Sequence, residues 1–179
     1  MGAESTGKTT LARALAAELD WPWVPEAARR HVEIVGRPAG PFDLDRIVRR
    51  HVGAFDAARV KASVTGAPGV ILDTDPVASW AYSAHYNGFV PAWLKALTAS
   101  RKADLYLVCA TDAAFEPQDA QRGTPADRAA VQTLMEGLIQ HLDAAHVPIS
   151  GEPAVRLQAA LGAIDGRWPN RLRNRPPRA

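Results

Sequence analysis

The feature that most constrains this sequence is its opening segment, residues 2–9, which reads GAESTGKT. The positions of Gly2, Gly7, Lys8 and Thr9 satisfy the phosphate-loop pattern GxxxxGK[ST]. Glycines allow successive backbone N–H groups to point inward at phosphate oxygens. Lys8 would add positive charge for the β- and γ-phosphates, and Thr9 would offer a hydroxyl to Mg²⁺. The sequence therefore predicts a site for ATP and Mg²⁺.

The segment after this loop supports the interpretation, because Leu11, Leu15 and Leu19 recur at helical spacing among strong helix formers. A helix beginning there would direct its positive dipole end at the phosphates. A glycine-rich turn that matches by chance is the alternative, and the helix makes it the weaker one. The residues predicted to contact the nucleotide are Gly2, Ala3, Glu4, Ser5, Thr6, Gly7, Lys8, Thr9 and Thr10.

Composition indicates one globular domain, since the chain has 179 residues, of which 47% are hydrophobic and 22% charged. No apolar run approaches the roughly 18 residues of a membrane span, and no signal peptide precedes the motif, so we expect a soluble cytoplasmic protein without a membrane partner. The single Cys109 lies in the apolar run DLYLVCA and is predicted to be a buried strand residue.

The basic charge is concentrated at the C-terminal end. Five of the 21 Lys and Arg residues lie from Gly166 onward, where there is no acidic residue, so the other residues carry 16 basic and 19 acidic side chains. We therefore predict a kinase-like domain over residues 1–165 and a disordered tail over 166–179. Contact of this tail with nucleic acid or another acidic partner is the minority alternative. The oligomeric state stays open.

Short apolar segments alternate with amphipathic ones along the chain. The predicted strands are WPWVP at 21–25, GVILD at 69–73, DLYLVCA at 104–110 and VPIS at 147–150. Helices are predicted to begin at Glu26, Asp43, Pro76, Ala92, Pro125 and Pro153. This order predicts a three-layer α/β domain with a parallel sheet covered on both faces, in which ligands bind at the carboxyl ends of the strands.

Two acidic residues follow the second predicted strand. Asp73 is placed to hold Mg²⁺, and Asp75 to face the hydroxyl of a substrate. Helix capping is an alternative for Asp75, because Asp is a favoured cap and Pro76 a favoured first helical residue. Capping explains Asp73 poorly.

Glu26 and Arg29 follow the first predicted strand and are three residues apart, so they share one face of the next helix. We predict that they contact the substrate. A simple surface ion pair is the alternative.

The polar segment TDAAFEPQDAQRGTPADR follows the third predicted strand and contains Asp119, Arg122 and Arg128. A mobile lid in this position would bring Arg122 and Arg128 onto the phosphates as the site closes. A solvated loop with ordinary charges is the alternative.

These segments together resemble the ribosylnicotinamide kinase domain of NadR-type proteins and the wider group of NadR-like P-loop ATPases. The resemblance rests on GAESTGKTTLA, VPEAARRHVE, DLDRIVRRHV, DTDPVASWAYSAHYNG and FEPQDAQR. It implies ATP- and Mg²⁺-dependent phosphoryl transfer to a small hydroxylated substrate, a nucleoside such as ribosylnicotinamide. A regulatory ATPase switch without a small-molecule acceptor is the alternative from another class.

The resemblance also assigns roles. It gives Lys8 and Thr9 to ATP and Mg²⁺, Asp73 and Asp75 to the metal and the reacting hydroxyl, Glu26 and Arg29 to the substrate, and Arg122 and Arg128 to the lid. Pro25, Ala27 and Ala54 stand where the kinases of known substrate carry aromatic residues that stack on nicotinamide. Trp23, Phe55, Trp80 and Tyr86 could take over the stacking or could belong to the core.

The loop lacks a strand in front of it, since Met1 alone precedes Gly2. The motif ordinarily joins a buried strand to a helix. We therefore expect the first strand of the sheet to be missing from this chain, and Met1 to be an internal methionine of a longer one. An upstream stop codon with no apolar run before Met1 would contradict this.

Overall fold

The structure is a computed structural model that describes residues 1–114 and 123–169. The helices are α1 Lys8–Leu19, α2 Ala27–Val35, α3 Leu44–Thr65, α4 Pro76–Asn87, α5 Ala92–Ser100, α6 Pro125–His141 and α7 Pro153–Arg167, with a 3₁₀ turn at Pro41–Asp43. The strands are β1 Trp23–Val24, β2 Ile71–Leu72, β3 Tyr106–Cys109 and β4 His146–Ile149. Each strand falls within or overlaps a segment predicted from the sequence.

Local sequence signals explain where several helices begin. The carboxylate of Asp75 caps α4 by accepting hydrogen bonds from the N–H groups of Val77 and Ala78. Thr124 and Asp127 form a reciprocal capping box at the start of α6. Proline occupies the first helical position of α4, α6 and α7, where its missing N–H has no intrahelical partner to lose.

The strands form two parallel pairs. β1 pairs with β2, with Trp23 opposite Ile71, and β3 pairs with β4, with Tyr106 opposite His146. Met1 extends the second pair, because its amino group donates to the carbonyl of Leu107 and its carbonyl accepts from the N–H of Cys109, both at 2.9 Å. The expected single sheet is therefore divided between β2 and β3 in the described part of the chain.

Helices cover both faces of the strands. On one face Cys109 and Ile149 pack with Leu15 of α1 and Ile164 of α7. On the other face Val108 packs with side chains from α4 and α6. The predicted three-layer α/β architecture is thus confirmed, and Cys109 is a buried strand residue as expected.

Helix α7 continues to Arg167, two residues past the predicted end of the domain, and Trp168 packs against the core of α1 and α7. The N–H of Trp168 donates to the carbonyl of Ile164, so the helix continues past the change in composition at Gly166. Residues 170–179 of the predicted tail lie outside the described residues. Within the part of the chain that the structure describes, no helix has the length and apolar character needed to cross a membrane.

Candidate functional site

The phosphate loop, residues 2–9, has a backbone that depends on its glycines. Gly2 has φ of 147° and Gly7 has φ of 76°, and Ser5 is also left-handed at 53°. A Cβ on Gly2 would lie 2.8 Å from Oγ1 of Thr6 and 3.0 Å from the carbonyl oxygen of Cys109. Only glycine fits there, because both the torsion and the space exclude a side chain.

Side chains from the second half of the chain hold this loop from outside. Arg128 donates to the carbonyl of Ser5 at 3.2 Å, and Arg156 donates to the carbonyl of Thr6 at 2.6 Å. Oε1 of Gln132 accepts from the N–H of Ala3 at 2.9 Å. The loop is therefore shaped by contacts that do not need a nucleotide.

Lys8 begins α1 and is 8% exposed. Its Nζ lies 3.4 Å from the carbonyl oxygen of Ala3, within the same loop. The amine therefore already lies against the concave loop, where phosphate oxygens would compete for it.

Asp73 follows β2 and is 2% exposed. Among the described residues, no donor lies within the usual hydrogen-bond distance and angle of either carboxylate oxygen. Burial raises its pKa, and the negative charge of Glu26 raises it further, whereas the hydroxyl of Thr9 and the ammonium of Lys8 lower it. The structure thus brings the predicted metal residues Thr9 and Asp73 together with Lys8 and Glu26.

The oxygen atoms of Asp73 and Thr9 are of the kind that Mg²⁺ prefers as ligands. The ion prefers oxygen ligands and keeps several waters, so one carboxylate and one hydroxyl suffice on the protein side when phosphates supply the rest. Two buried carboxylate oxygens without donors are costly unless a cation or proton joins them. Asp73 and Thr9 therefore fit the group that the loop motif implies.

Asp75 lies in a different setting from the one predicted. It is 4% exposed, Oδ1 accepts from the N–H groups that begin α4, and Oδ2 accepts a 2.5 Å hydrogen bond from the hydroxyl of Tyr106. Burial raises the pKa of Asp75, and the pKa of Tyr106 is raised as well by burial and by the neighbouring carboxylate. The geometry favours the capping alternative over contact with a substrate hydroxyl, because protein donors already occupy the carboxylate.

Glu26 follows β1, as Asp73 and Asp75 follow β2, so all three carboxylates lie after the carboxyl ends of the first strand pair. Glu26 precedes α2, its side chain is 16% exposed, and Oε2 lies 3.8 Å from Nε of Arg29. Its charge acts on Asp73. Glu26 and Arg29 therefore form the ion pair that was the alternative to substrate contact. Glu26 is also a neighbour of the predicted metal site.

The two arginines assigned to the lid have different outcomes. Arg128 is 7% exposed on the buried face of α6 and donates to the carbonyls of Ser5 and Ala113. This position indicates support of the loop by a fixed helix in place of the mobile lid contact predicted from the sequence. Arg122 and Asp119 lie outside the described residues, so the lid prediction stays a prediction there.

The four aromatic candidates for stacking lie in different places. The hydroxyl of Tyr86 donates to Glu4 of the loop at 3.1 Å, and its ring stacks on that of Tyr82. Phe55 lines the cavity between the strand pairs. Trp80 packs on the core formed with Leu94, and the ring of Trp23 lies under the guanidinium of Arg13.

Three residues that shape the site were missed from the sequence: Gln132, Arg156 and Asp112. Arg156 ion-pairs with Asp112, whose Oδ2 accepts from the N–H of Gly151 at 2.7 Å. A signal was present, because Arg156 shares one helix face with the buried Ala160 and Ile164 at four-residue spacing. A charge on an apolar face indicates an internal partner.

Comparison with known proteins agrees with this geometry. The AAA_28 family model, described as an AAA domain, matches residues 1–156. A crystal structure of NadR protein in complex with NR is similar over 93% of this chain, with a TM-score of 0.69 and 22% identity. One of NadR protein in complex with NAD and AMP-PNP is similar over 93%, with a TM-score of 0.67 and 23% identity. No curated protein sequence matches the chain.

The chain covers 49% and 48% of those two structures, which is about half of their length. At 22% and 23% sequence identity, the similarity to these two structures is a similarity of fold. The resemblance to NadR-like P-loop proteins that the sequence motifs indicated is confirmed at that level.

Proposed function

The chain belongs to the AAA_28 family of AAA domains, and on that basis we propose that it binds ATP with Mg²⁺ and transfers the γ-phosphoryl group to a small hydroxylated acceptor. The acceptor we favour is a nucleoside such as ribosylnicotinamide, in keeping with the NadR protein that was solved in complex with NR. The observation that carries the proposal is the buried carboxylate of Asp73. Neither of its oxygens has a hydrogen-bond partner among the described residues, and it lies close to Thr9, Lys8 and Glu26.

The chain's own residues would act mainly by electrostatics. The N–H groups of the loop and the ammonium of Lys8 would stabilise charge on the transferring group. Thr9 and Asp73 would hold Mg²⁺, which when bound neutralises charge on the phosphates.

Glu26 is our candidate for the group that receives the acceptor's proton. In the reaction the acceptor oxygen forms a bond to the γ-phosphorus, the bond from that phosphorus to the bridging β,γ-oxygen breaks, and ADP leaves. The hydroxyl proton passes to the carboxylate of Glu26. Glu26 suits this step better than Asp75, since it is partly exposed and Nε of Arg29 lies 3.8 Å from its Oε2, beyond hydrogen-bond distance.

A panel of nucleosides incubated with ATP and Mg²⁺ tests the proposal. A phosphorylated nucleoside, identified by mass, is the expected product, and its formation should need Mg²⁺. ATP hydrolysis alone would not support a kinase, because a regulatory ATPase also hydrolyses slowly. ATP binding with no phosphorylated product from any nucleoside would overturn the acceptor part and favour the switch.

A further inference from the structure

The phosphate loop carries an acidic side chain of its own, Glu4, between Gly2 and Gly7. A negative charge in a loop that binds phosphates is unfavourable, because it repels them and because the ammonium of Lys8 attracts both. Oε2 of Glu4 is buried and has no hydrogen-bond partner among the described residues. The position of this carboxylate therefore affects how much positive charge the loop offers to a nucleotide.

Tyr86, in the last turn of α4, holds the other oxygen of this carboxylate. Its hydroxyl donates to Oε1 of Glu4 at 3.1 Å. Burial and the charge of Glu4 both raise the pKa of Tyr86, so the hydroxyl keeps its proton and remains a donor. Nζ of Lys8 lies 3.4 Å from the carbonyl oxygen of Ala3, and no ion pair joins it to Glu4 among the described residues. The acid and the lysine of the loop therefore have separate partners.

Several contacts fix the position of Tyr86 itself. Its ring stacks on that of Tyr82 with 9° between the ring planes, and the ring of His85 meets it edge-on with 4.6 Å between the centroids. The N–H of Gly123, just before α6, donates to the Tyr86 hydroxyl. A Cβ on Gly123 would lie 2.5 Å from that hydroxyl oxygen, so the close approach requires glycine. The hydroxyl is thus directed at the loop from a fixed position between α4 and α6.

Loss of this hydroxyl would change the charge that a nucleotide meets. A released Glu4 carboxylate would be drawn to Lys8, the cation of the same loop, four residues further on. Phosphates would then have to displace the carboxylate from the ammonium before they could bind. A neutral side chain in place of Glu4 would remove this competition.

We propose that Tyr86 is a positioning residue of the nucleotide site: its hydroxyl holds the carboxylate of Glu4 against α4 and so keeps that negative charge away from Lys8 and from the phosphates. Tyr86 acts through Glu4 and needs no contact with the nucleotide. This role differs from stacking on the ring of an acceptor, for which the sequence made Tyr86 a candidate. The inference rests on the proposed binding of ATP and is independent of which acceptor is phosphorylated.

A double-mutant cycle between Tyr86→Phe and Glu4→Gln tests the proposal. Phe keeps the aromatic ring, and Gln keeps an oxygen that can accept from the Tyr86 hydroxyl, so the two changes remove one hydroxyl and one charge. The measurement is the affinity for a fluorescent, non-hydrolysable ATP analogue. We expect Tyr86→Phe alone to weaken binding by about five- to tenfold, and Glu4→Gln alone to leave it normal or up to about threefold tighter. Tyr86→Phe should have no effect once Glu4 is replaced by Gln.

The cycle separates this role from a merely structural one. Tyr86 is 45% exposed, so Phe should leave the fold intact, and the double variant shares any loss of stability that Phe causes. Tyr106→Phe is the matched control, because its hydroxyl donates to a different carboxylate, that of Asp75. Its effect on binding should be the same with Glu4 and with Gln at that position.

Two results would overturn the inference in different ways. An equal loss for Tyr86→Phe in both backgrounds, or no loss in either, would overturn the positioning role and leave nucleotide binding standing. An unmodified chain that binds no ATP analogue would overturn the proposed function and this inference with it.

Discussion

Arg156 donates a hydrogen bond of 2.6 Å to the carbonyl of Thr6, so the first turns of α7 support the phosphate loop directly. The same guanidinium donates to the carbonyl of Gly151 at 2.6 Å and ion-pairs with Asp112. A planar group with five donors suits this position, since it binds several acceptors at once. The loop's shape therefore depends on a side chain that need not touch the nucleotide.

Replacing Arg156 by Ala should weaken both folding and nucleotide binding. The change leaves the Thr6 carbonyl without its donor, which costs about 1–3 kcal/mol of unfolding free energy. We expect roughly tenfold weaker binding of a fluorescent, non-hydrolysable ATP analogue, equivalent to about 1.4 kcal/mol. Urea unfolding and fluorescence titration measure the two effects. Arg46→Ala, exposed on α3, is the matched control and should change neither.

Replacing Lys8 by Ala should remove ATP binding and turnover together, because the ammonium beside the carbonyl of Ala3 is the loop's positive charge. We expect turnover to fall by roughly 10²–10³-fold, the range for loss of one electrostatic contact to the transition state. Lys61→Ala, exposed on α3, serves as the control. A Lys8→Ala protein that keeps normal affinity for the ATP analogue would contradict the assignment of the loop.

Asp73→Asn should separate stability from metal-dependent binding. Burial raises the pKa of Asp73, so its charged form is disfavoured without a cation, and the neutral amide should raise the melting temperature of the nucleotide-free protein. The Mg²⁺ dependence of ATP-analogue binding should weaken by roughly 10–100-fold. A lower melting temperature with unchanged Mg²⁺ dependence would show that Asp73 is only structural.

Asp75→Asn and Glu26→Gln should give opposite results in a kinase assay. Asn caps helices as well as Asp does, so Asp75→Asn should keep turnover near that of the unmodified chain. Glu26→Gln should lower it by about 10²–10⁴-fold, the range for a general base. Asp75→Ala should reduce unfolding free energy by about 0.5–2 kcal/mol through loss of the cap. Loss of turnover in Asp75→Asn with normal stability would restore the substrate role to Asp75.

His51 should make the protein less stable in mild acid. Burial lowers its pKa from 6.5 to about 4, so between these values the unfolded chain binds more protons than the folded one. Stability from this group is fully present above about pH 6.5 and is lost as the pH falls towards 4, by roughly 2–3 kcal/mol. The difference in urea midpoint between pH 7 and pH 5 should shrink in His51→Gln. His141→Gln, at an exposed position, should leave it unchanged.

Much of the fold followed from local signals in the sequence. The helix starts at Pro76, Pro125 and Pro153 were predictable because proline and a preceding cap act within one turn. The grouping of Asp73 with Thr9 followed from the rule that ligands meet at the carboxyl ends of parallel strands. Capping of α4 by Asp75 was the alternative that the sequence offered, because a cap acts within one turn. The hydrogen bonds from Tyr106 to Asp75 and from Arg128 to Ser5 did not follow, because these partners are distant in sequence.

The contacts that shape the phosphate loop have a consequence for biosynthesis. The residues that hold Ala3, Ser5 and Thr6 lie 129, 123 and 150 positions further along the chain. During translation the loop emerges before its supports on α6 and α7, and very long chain segments must close before the two meet. A nascent chain that stops before α7 should therefore expose the complete loop motif and still be unable to retain nucleotide.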